Sequence, residues 1–249
     1  MSFPFNKIEF RRNAVEPVEC IKAGWNLIKS QYWLFAGIAV VGMLIGSVVP
    51  LGLMLGPMMC GIYLALFQTR RGRPIEFAVL FKGIDYFGDA LIATLLHLIP
   101  IVIVVVPTVI VFYIGMVGAV ILTASQREPN PGALLGVFGL FVVVWFVLMA
   151  LLIVLSVAFT FAYPLIVDRR LSGLEAVKLS IRAGFANFWR LLGMLLLTGL
   201  ISSLGLVLCF VGVYLLLPIT FAAIASAYEQ VFGLSDLQTN PPPPPPAFI

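Results

Sequence analysis

His97 is the side chain in this sequence best suited to chemistry inside an apolar environment. It is the single histidine among 249 residues, and it lies in a long apolar run that opens at Asp89. An imidazole at such a position can hold a proton or a hydrogen bond where few other groups are ionisable. Thr94 precedes it by about one helical turn. The spacing predicts a polar ligand-binding group of His97, Thr94 and Asp89, lining an internal cavity. The alternative is a neutral imidazole hydrogen-bonded to a neighbouring helix.

The other acidic and nucleophilic residues form no recognisable catalytic arrangement. Asp85 and Asp89 are one turn apart and could bind a cation, but an acid at a helix start is favoured by the helix dipole, and we expect that role. The sequence contains no nucleophile elbow, phosphate loop, HExxH motif or paired carboxylates. Its three cysteines are scattered. We therefore expect no enzymatic activity, no metal, no cofactor and no nucleic-acid partner.

Composition indicates a membrane protein. The chain is 61% hydrophobic and only 10% charged, which excludes an ordinary soluble domain. Several apolar runs reach about 20 residues, enough to cross a bilayer core as helices. No cleavable signal pattern is present, and we expect the N-terminus to be retained. Apart from His97, the predicted crossings hold no ionisable side chain away from their ends, which argues against an ion-coupled transporter.

The chain contains two similar segments, 156 residues apart. The shift matches acid with acid, lysine with lysine and an aromatic pair with an aromatic pair: Glu19 with Glu175, Lys22 with Lys178, Tyr32-Trp33 with Phe188-Trp189. Both segments begin with a helix-start signal. Ser172 and Glu175 form a capping box, and Pro17 suits the first helical position. We interpret the pattern as an internal repeat, against the alternative of chance similarity between two amphipathic helix-hairpins.

The resulting fold class is all-α integral membrane, with six transmembrane helices and amphipathic interfacial helices. Two related helix-hairpin units flank a long, kinked central helix pair. The predicted segments begin with a cytoplasmic N-terminal segment (1–15), the first amphipathic helix with its hairpin (16–69) and a cytoplasmic interfacial helix (70–88). The central pair (89–167), the second amphipathic helix with its hairpin (168–231) and a proline-rich cytoplasmic tail (232–249) follow. The hairpin of the first unit carries two Gly-x-x-x-Gly pairs that favour close packing.

The central helices are longer than a bilayer requires. As one straight helix, residues 89–124 would reach about 54 Å at 1.5 Å per residue. Pro100 and Pro107 lie on one face and should kink it. Two interpretations stay open for residues 114–144. They form an apolar hairpin that projects outside the membrane, or the helices tilt strongly and the turn stays near the surface.

Charge placement predicts the orientation. Of the 15 Lys and Arg, only Arg127 falls on the opposite side in a six-crossing topology. The positive-inside rule then places both termini in the cytoplasm, in the inner (plasma) membrane. The basic face should also attract anionic lipid headgroups, the alternative being plain topology signalling. The predicted headgroup contacts are Arg70, Arg71, Arg73, Arg169, Arg170, Lys178, Arg182 and Arg190. The predicted interfacial aromatic anchors are Tyr32, Trp33, Phe188 and Trp189.

The segments 163–168 (Tyr-Pro-Leu-Ile-Val-Asp), 172–176 (Ser-Gly-Leu-Glu-Ala) and 187–193 (Asn-Phe-Trp-Arg-Leu-Leu-Gly) carry a family resemblance. Through them, residues 16–232 resemble uncharacterised bacterial multi-pass membrane proteins, a group similar to the membrane domain of some glycerophosphodiester phosphodiesterases. The resemblance implies an inner-membrane protein of six-helix type. It transfers no catalytic residue, because the soluble phosphodiesterase barrel has no counterpart here.

Two functions remain open at this point. The first is a non-enzymatic membrane scaffold that binds lipid or a partner. The alternative is a transporter or permease for an apolar or amphiphilic small molecule, because repeated units often frame a transport path. Protein partners could dock at the outer hairpin or on the proline tail, whose six prolines at 241–246 favour polyproline II. Self-association into a homo-oligomer is a further expectation.

Overall fold

A computed structural model describes residues 8–48, 52–124, 131–205 and 211–235. Within these ranges the chain is helical and contains no strand. The α-helices in chain order are α1 (Pro17–Ile28), α2 (Tyr32–Val48), α3 (Leu55–Arg70), α4 (Phe87–Ala124), α5 (Pro131–Phe159), α6 (Ala162–Arg169), α7 (Gly173–Ala186), α8 (Phe188–Leu204) and α9 (Val211–Phe232). Two 3₁₀ helices, Lys29–Gln31 and Phe77–Tyr86, link α1 to α2 and lead into α4. The proline run at 241–246 lies outside the described residues.

The chain divides into two compact units. The first unit comprises residues 1–94 and 157–249, and the second comprises residues 95–156. The first unit therefore holds α1, α2, α3, α6, α7, α8, α9 and the first turns of α4. The second holds most of the predicted central helix pair.

The core of the first unit is built around α3. Every residue of this helix from 60 to 67 is buried, and α2, α6, α9 and the 3₁₀ helix Phe77–Tyr86 pack against it. Gly61 allows the closest approach: a Cβ there would lie 2.1 Å from the Leu80 carbonyl oxygen. Such contacts are typical of helices that associate in membranes. They also bury Leu80 completely, whereas Phe77 and Phe81 of the same 3₁₀ helix are exposed.

A second close contact joins α1 to α9. A Cβ on Gly24 would meet the backbone of Ala222 and Ala223 at 2.7 Å. Nearby, the Tyr32 hydroxyl donates a hydrogen bond to the Leu215 carbonyl oxygen. Leu215 belongs to the turn of α9 that precedes Pro218, where a proline disturbs the helical hydrogen bonds. α1 and α9, which are distant in sequence, are therefore held together.

In the part of the chain that the structure describes, four helical runs are long and apolar enough to cross a membrane: Pro17–Val48, Phe77–Ile121, Phe138–Arg169 and Gly212–Phe232. The bent pair of α7 and α8 makes a fifth if it is counted as one span. The second predicted crossing corresponds to α3, which at 16 residues covers only about 24 Å of helix. Its residues are mostly enclosed by other helices of the first unit.

Two pairs of helix starts lie 156 residues apart. α1 begins at Pro17 and α7 at Gly173, and α2 begins at Tyr32 and α8 at Phe188. The capping box of Ser172 and Glu175 is present at the start of α7, as predicted. The two segments differ in shape, however. α1, the 3₁₀ turn after it and α2 together form one helical run of 32 residues. The chain bends by 93° between α7 and α8.

The second unit consists of α4 and α5 residues. α4 extends for 38 residues and continues through both Pro100 and Pro107. Phe112 of α4 packs against Phe141 of α5, with ring centroids 4.4 Å apart. Large apolar side chains are exposed along the described parts of both helices in this unit.

Candidate functional site

The most elaborate polar cluster of the described residues centres on Asp168, near the C-terminal end of α6. This carboxylate is completely buried. It accepts hydrogen bonds from Arg71 Nη2 at 2.6 Å, from the Tyr228 hydroxyl at 2.9 Å and from the Ser235 backbone N–H at 3.0 Å. The Ser235 hydroxyl donates to the Asp168 carbonyl oxygen at 2.6 Å. One carboxylate thus joins the ends of α3, α6 and α9.

The partner of Asp168 is buried as well, since the Arg71 side chain is 7% exposed. Burying two charges is costly, and only mutual attraction with additional hydrogen bonds compensates that cost. Both conditions are met here, because Tyr228 and Ser235 occupy the remaining acceptor positions of the carboxylate. This geometry is that of a structural clasp, because both oxygens of the Asp168 carboxylate have partners among the described residues.

Two further arginines hold the same end of the first unit. Arg70 forms an ion pair with Glu229 of α9, and hydrogen bonding to that carboxylate raises the pKa of the arginine. Arg169 donates to the Phe232 and Gly233 carbonyl oxygens at 2.9 and 3.2 Å. A cation on the last carbonyls of a helix satisfies groups that lack partners within the helix and complements the dipole. Arg70, Arg71 and Arg169, all predicted to contact headgroups, therefore have protein partners.

All three residues of the predicted group, His97, Thr94 and Asp89, lie on α4. Thr94 is buried, donates to the Ala90 carbonyl oxygen at 2.8 Å and lies 3.1 Å from the Tyr163 hydroxyl. Gly56 packs directly against it, leaving no space for a ligand on that side. His97 belongs to the second unit and is partly exposed.

Asp89 has a specific structural partner. Its Oδ1 accepts a hydrogen bond from the backbone N–H of Gly173 at 3.0 Å. Gly173 is the first residue of α7, where N–H groups lack partners within the helix. Asp89 therefore caps α7, and it also lies in the first turn of its own helix α4, where the helix dipole favours an acid, as expected.

The remaining predicted cations are exposed. Arg73, Arg170, Lys178, Arg182 and Arg190 all have exposed side chains. Of these, Arg190 donates to the Val15 carbonyl oxygen at 3.3 Å through Nη1. Lys178 and Arg182 are one turn apart on α7 and face outward together.

The outer face of α7 combines those two cations with exposed apolar side chains. Leu174 and Phe185 are both about half exposed on the same helix. The opposite face is buried: Ser180 donates to the Ala158 carbonyl oxygen at 2.7 Å, and Gly184 lies against the backbone of Val157. The exposed face is therefore basic and apolar on a helix whose inner face is fixed to the core.

The four predicted aromatic anchors separate into two kinds. Trp33 and Trp189 are 76% and 79% exposed, as an interfacial anchor requires. Tyr32 and Phe188 are partly buried and pack beside them, with Tyr32 also in contact with Trp25. Each exposed tryptophan thus stands next to an aromatic ring that is held by the fold.

Two apolar grooves of ligand size accompany these polar clusters. In the first unit, α1 and α8 enclose an open groove of about 400 Å³. In the second unit, α4 and α5 enclose one of about 350 Å³ next to Pro107, with Thr108 among its lining residues. Among the residues described, no group of three or more His, Cys, Asp or Glu side chains could hold a metal ion.

Sequence reasoning missed the role of Asp168, although its motif was noted. The signal was a single acid directly after five apolar and aromatic residues, at a position whose burial only the tertiary structure reveals. Comparison of the chain with protein-family models, with curated proteins and with solved structures gave no match.

Proposed function

We propose that this chain is an integral membrane protein that binds membrane lipid or a membrane partner without catalysing a reaction, and that it acts as a scaffold. The observation that carries the proposal is the right angle between α7 and α8, together with the basic and apolar outer face of α7. A helix at 93° to a membrane-crossing helix runs along the membrane surface.

The chemistry of α7 suits that position. Leu174 and Phe185 can enter the boundary between headgroups and acyl chains, while Lys178 and Arg182 stay among the phosphates. A cation near an anionic membrane surface contributes about 1 kcal/mol. α8 offers lipid a row of exposed leucines, among them Leu196 and Leu200. The clasp at Asp168 fits a scaffold, because it fixes the ends of three helices relative to one another.

The finer topology belongs to the same proposal. Six crossings follow if α7 lies on the surface, α8 crosses alone and α3 completes a hairpin with α2. Close contacts of Gly42 with Ile62 and of Gly46 with Leu55 favour that hairpin. The positive-inside rule then places both termini in the cytoplasm, in a bacterial inner membrane. The coincident starts of α1 with α7 and of α2 with α8 favour an internal duplication.

A transporter for an apolar or amphiphilic molecule is the second candidate. It is favoured by the groove between α4 and α5, whose volume of about 350 Å³ lies within the range of small-molecule sites. Reconstituted vesicles loaded with an amphiphilic dye or a labelled lipid would show flux above that of empty vesicles. Flux equal to that of empty vesicles would remove this candidate.

The scaffold proposal is tested by lipid selectivity. The reconstituted full chain should prefer spin-labelled phosphatidylglycerol over phosphatidylcholine. The double variant Lys178→Gln with Arg182→Gln should reduce the affinity of the strongest site by up to roughly 30-fold, the equivalent of about 1 kcal/mol per cation.

The matched control replaces Lys29 and Arg12, which are exposed cations outside α7. The variant Lys29→Gln with Arg12→Gln loses the same formal charge and should retain most of the selectivity. Equal losses for both double variants would show that net charge alone matters and would remove α7 as the binding surface.

A further inference from the structure

The groove between α1 and α8 has walls suited to a hydrocarbon chain. α1 contributes Val18 and Ile21, and α8 contributes a row of aliphatic side chains: Leu197, Leu200, Ile201 and Leu204. The groove is open along one side and holds about 400 Å³. A volume of this size accommodates part of a lipid but not a folded protein segment with its own core. Among the described residues that line it, Lys22 is the ionisable one.

Lys22 has a carboxylate beside it. Its Nζ lies 3.3 Å from Glu19 Oε1, three residues earlier on the same helix. Both side chains are more than half exposed. An exposed pair of this kind is held weakly, so each charge can exchange its partner for a ligand group of opposite charge. The lining of an apolar groove thus includes one positive group, Lys22, whose negative partner Glu19 lies 3.3 Å from it.

We propose that this groove and the Glu19–Lys22 pair bind one molecule of a zwitterionic phospholipid with a primary amine, of the phosphoethanolamine headgroup type. The phosphate pairs with Lys22, the ammonium donates to Glu19, and one acyl chain lies along α8. This site adds a specific lipid to the proposed lipid-binding function. It rests on that proposed function in one respect, which is that α8 must face lipid.

Charge complementarity distinguishes this occupant from other phospholipids. An anionic headgroup would satisfy Lys22 but place negative charge beside Glu19. A choline headgroup has the correct charges, but its quaternary nitrogen has no N–H to donate. Hydrogen bonds between ionised partners are stronger than neutral ones, so a primary amine gains a contact that choline lacks.

The experiment is native mass spectrometry of the full chain equilibrated with equal amounts of phosphatidylethanolamine, phosphatidylcholine and phosphatidylglycerol of identical acyl chains. We expect the first bound lipid to be phosphatidylethanolamine, with about a fivefold preference over phosphatidylcholine. Glu19→Gln should abolish the preference between these two lipids while both still bind. Lys22→Gln should reduce binding of both, and Lys29→Gln, a nearby exposed cation, should change neither.

A groove-filling variant tests the acyl chain separately. Leu200→Trp should reduce phosphatidylethanolamine binding at least fivefold, whereas Leu196→Trp, on the same helix but outside the groove lining, should not. Unchanged helicity by circular dichroism confirms that both variants fold. No preference for phosphatidylethanolamine in the native chain, or a preference that survives Glu19→Gln, would overturn the inference.

The experiments distinguish a failure of the proposed groove site from a failure of the proposed lipid-binding function of α7. Phosphatidylglycerol selectivity that depends on Lys178 and Arg182, without a phosphatidylethanolamine site at Glu19, would refute the groove alone. Loss of both selectivities would refute both proposals. A stable dimer that excludes lipid from the groove would identify a second copy as the occupant and would also overturn the inference.

Discussion

The substitution Asp168→Asn tests whether the buried clasp determines the stability of the first unit. It removes the charge that compensates Arg71 while keeping the size of the side chain. Because the Arg71 side chain is only 7% exposed, its cation cannot turn to water without a change in packing. Breaking a buried pair on one side costs about 3–5 kcal/mol, since the other charge stays buried.

The cost is measurable as a shift in unfolding. For a chain of this size, 1 kcal/mol moves the thermal midpoint by about 2–4 °C, so Asp168→Asn should lower it by roughly 6–20 °C. The assay is unfolding of the full chain in a mixed micelle of mild and denaturing detergent, followed by far-ultraviolet circular dichroism. The matched control is Glu19→Gln, which breaks an exposed ion pair and should cost less than about 1 kcal/mol.

A double-mutant cycle measures the interaction free energy between Arg71 and Asp168 apart from the contacts that each residue makes with other groups. Arg71→Gln alone should also be strongly destabilising, because it removes the nearest cation from the buried Asp168 and leaves Arg169 at 3.4 Å, Tyr228 and Ser235 as its partners. The double variant removes both charges of the Arg71–Asp168 pair, so it should be about 0.5–3 kcal/mol more stable than the sum of the two single effects predicts. Purely additive effects, or a cost for Asp168→Asn no larger than that of Glu19→Gln, would refute the clasp.

Two further predictions concern packing and capping. Gly24→Ala should destabilise the chain by about 1–3 kcal/mol in the same assay, because the new methyl group would meet the α9 backbone at 2.7 Å. The control Gly115→Ala should have little effect, because nothing lies within 4 Å of a Cβ at that position. Asp89→Ala should cost about 0.5–2 kcal/mol through loss of the cap on α7, with faster amide exchange at Gly173 as its local signature. Equal effects at Gly24 and Gly115, or unchanged exchange at Gly173, would contradict the respective assignment.

The sequence allowed the helix starts to be predicted, because their signals are local. Pro17 and the capping box of Ser172 and Glu175 mark the first residues of α1 and α7 in the structure. Helix propensity and capping depend on a few neighbouring residues, so a single sequence contains the information. The exposure of Trp33 and Trp189 was predictable for a similar reason, since an aromatic pair next to an apolar run indicates an interface.

The burial of polar groups was not predictable, because it depends on contacts between distant segments. Arg71 and Asp168 are separated by 97 residues, and nothing near Arg71 indicates that it faces inward. Asp89 similarly caps a helix that begins 84 residues later. The 93° bend at Asn187 also has no local cause in the pattern, since the corresponding junction after α1 continues as one run.

The most direct test of the proposed membrane arrangement is a depth measurement along α7 and α8. Spin labels attached one at a time to cysteines at 174, 178 and 182, and at 196, 200 and 204, in a background without native cysteines, report immersion depth through the accessibility of oxygen against a water-soluble nickel complex. A surface helix joined at a right angle to a crossing helix predicts one shallow depth for the three α7 positions. The three α8 positions should become deeper by about 6 Å per four residues. Depths that change steadily along α7, or three α8 positions in water, would contradict the account.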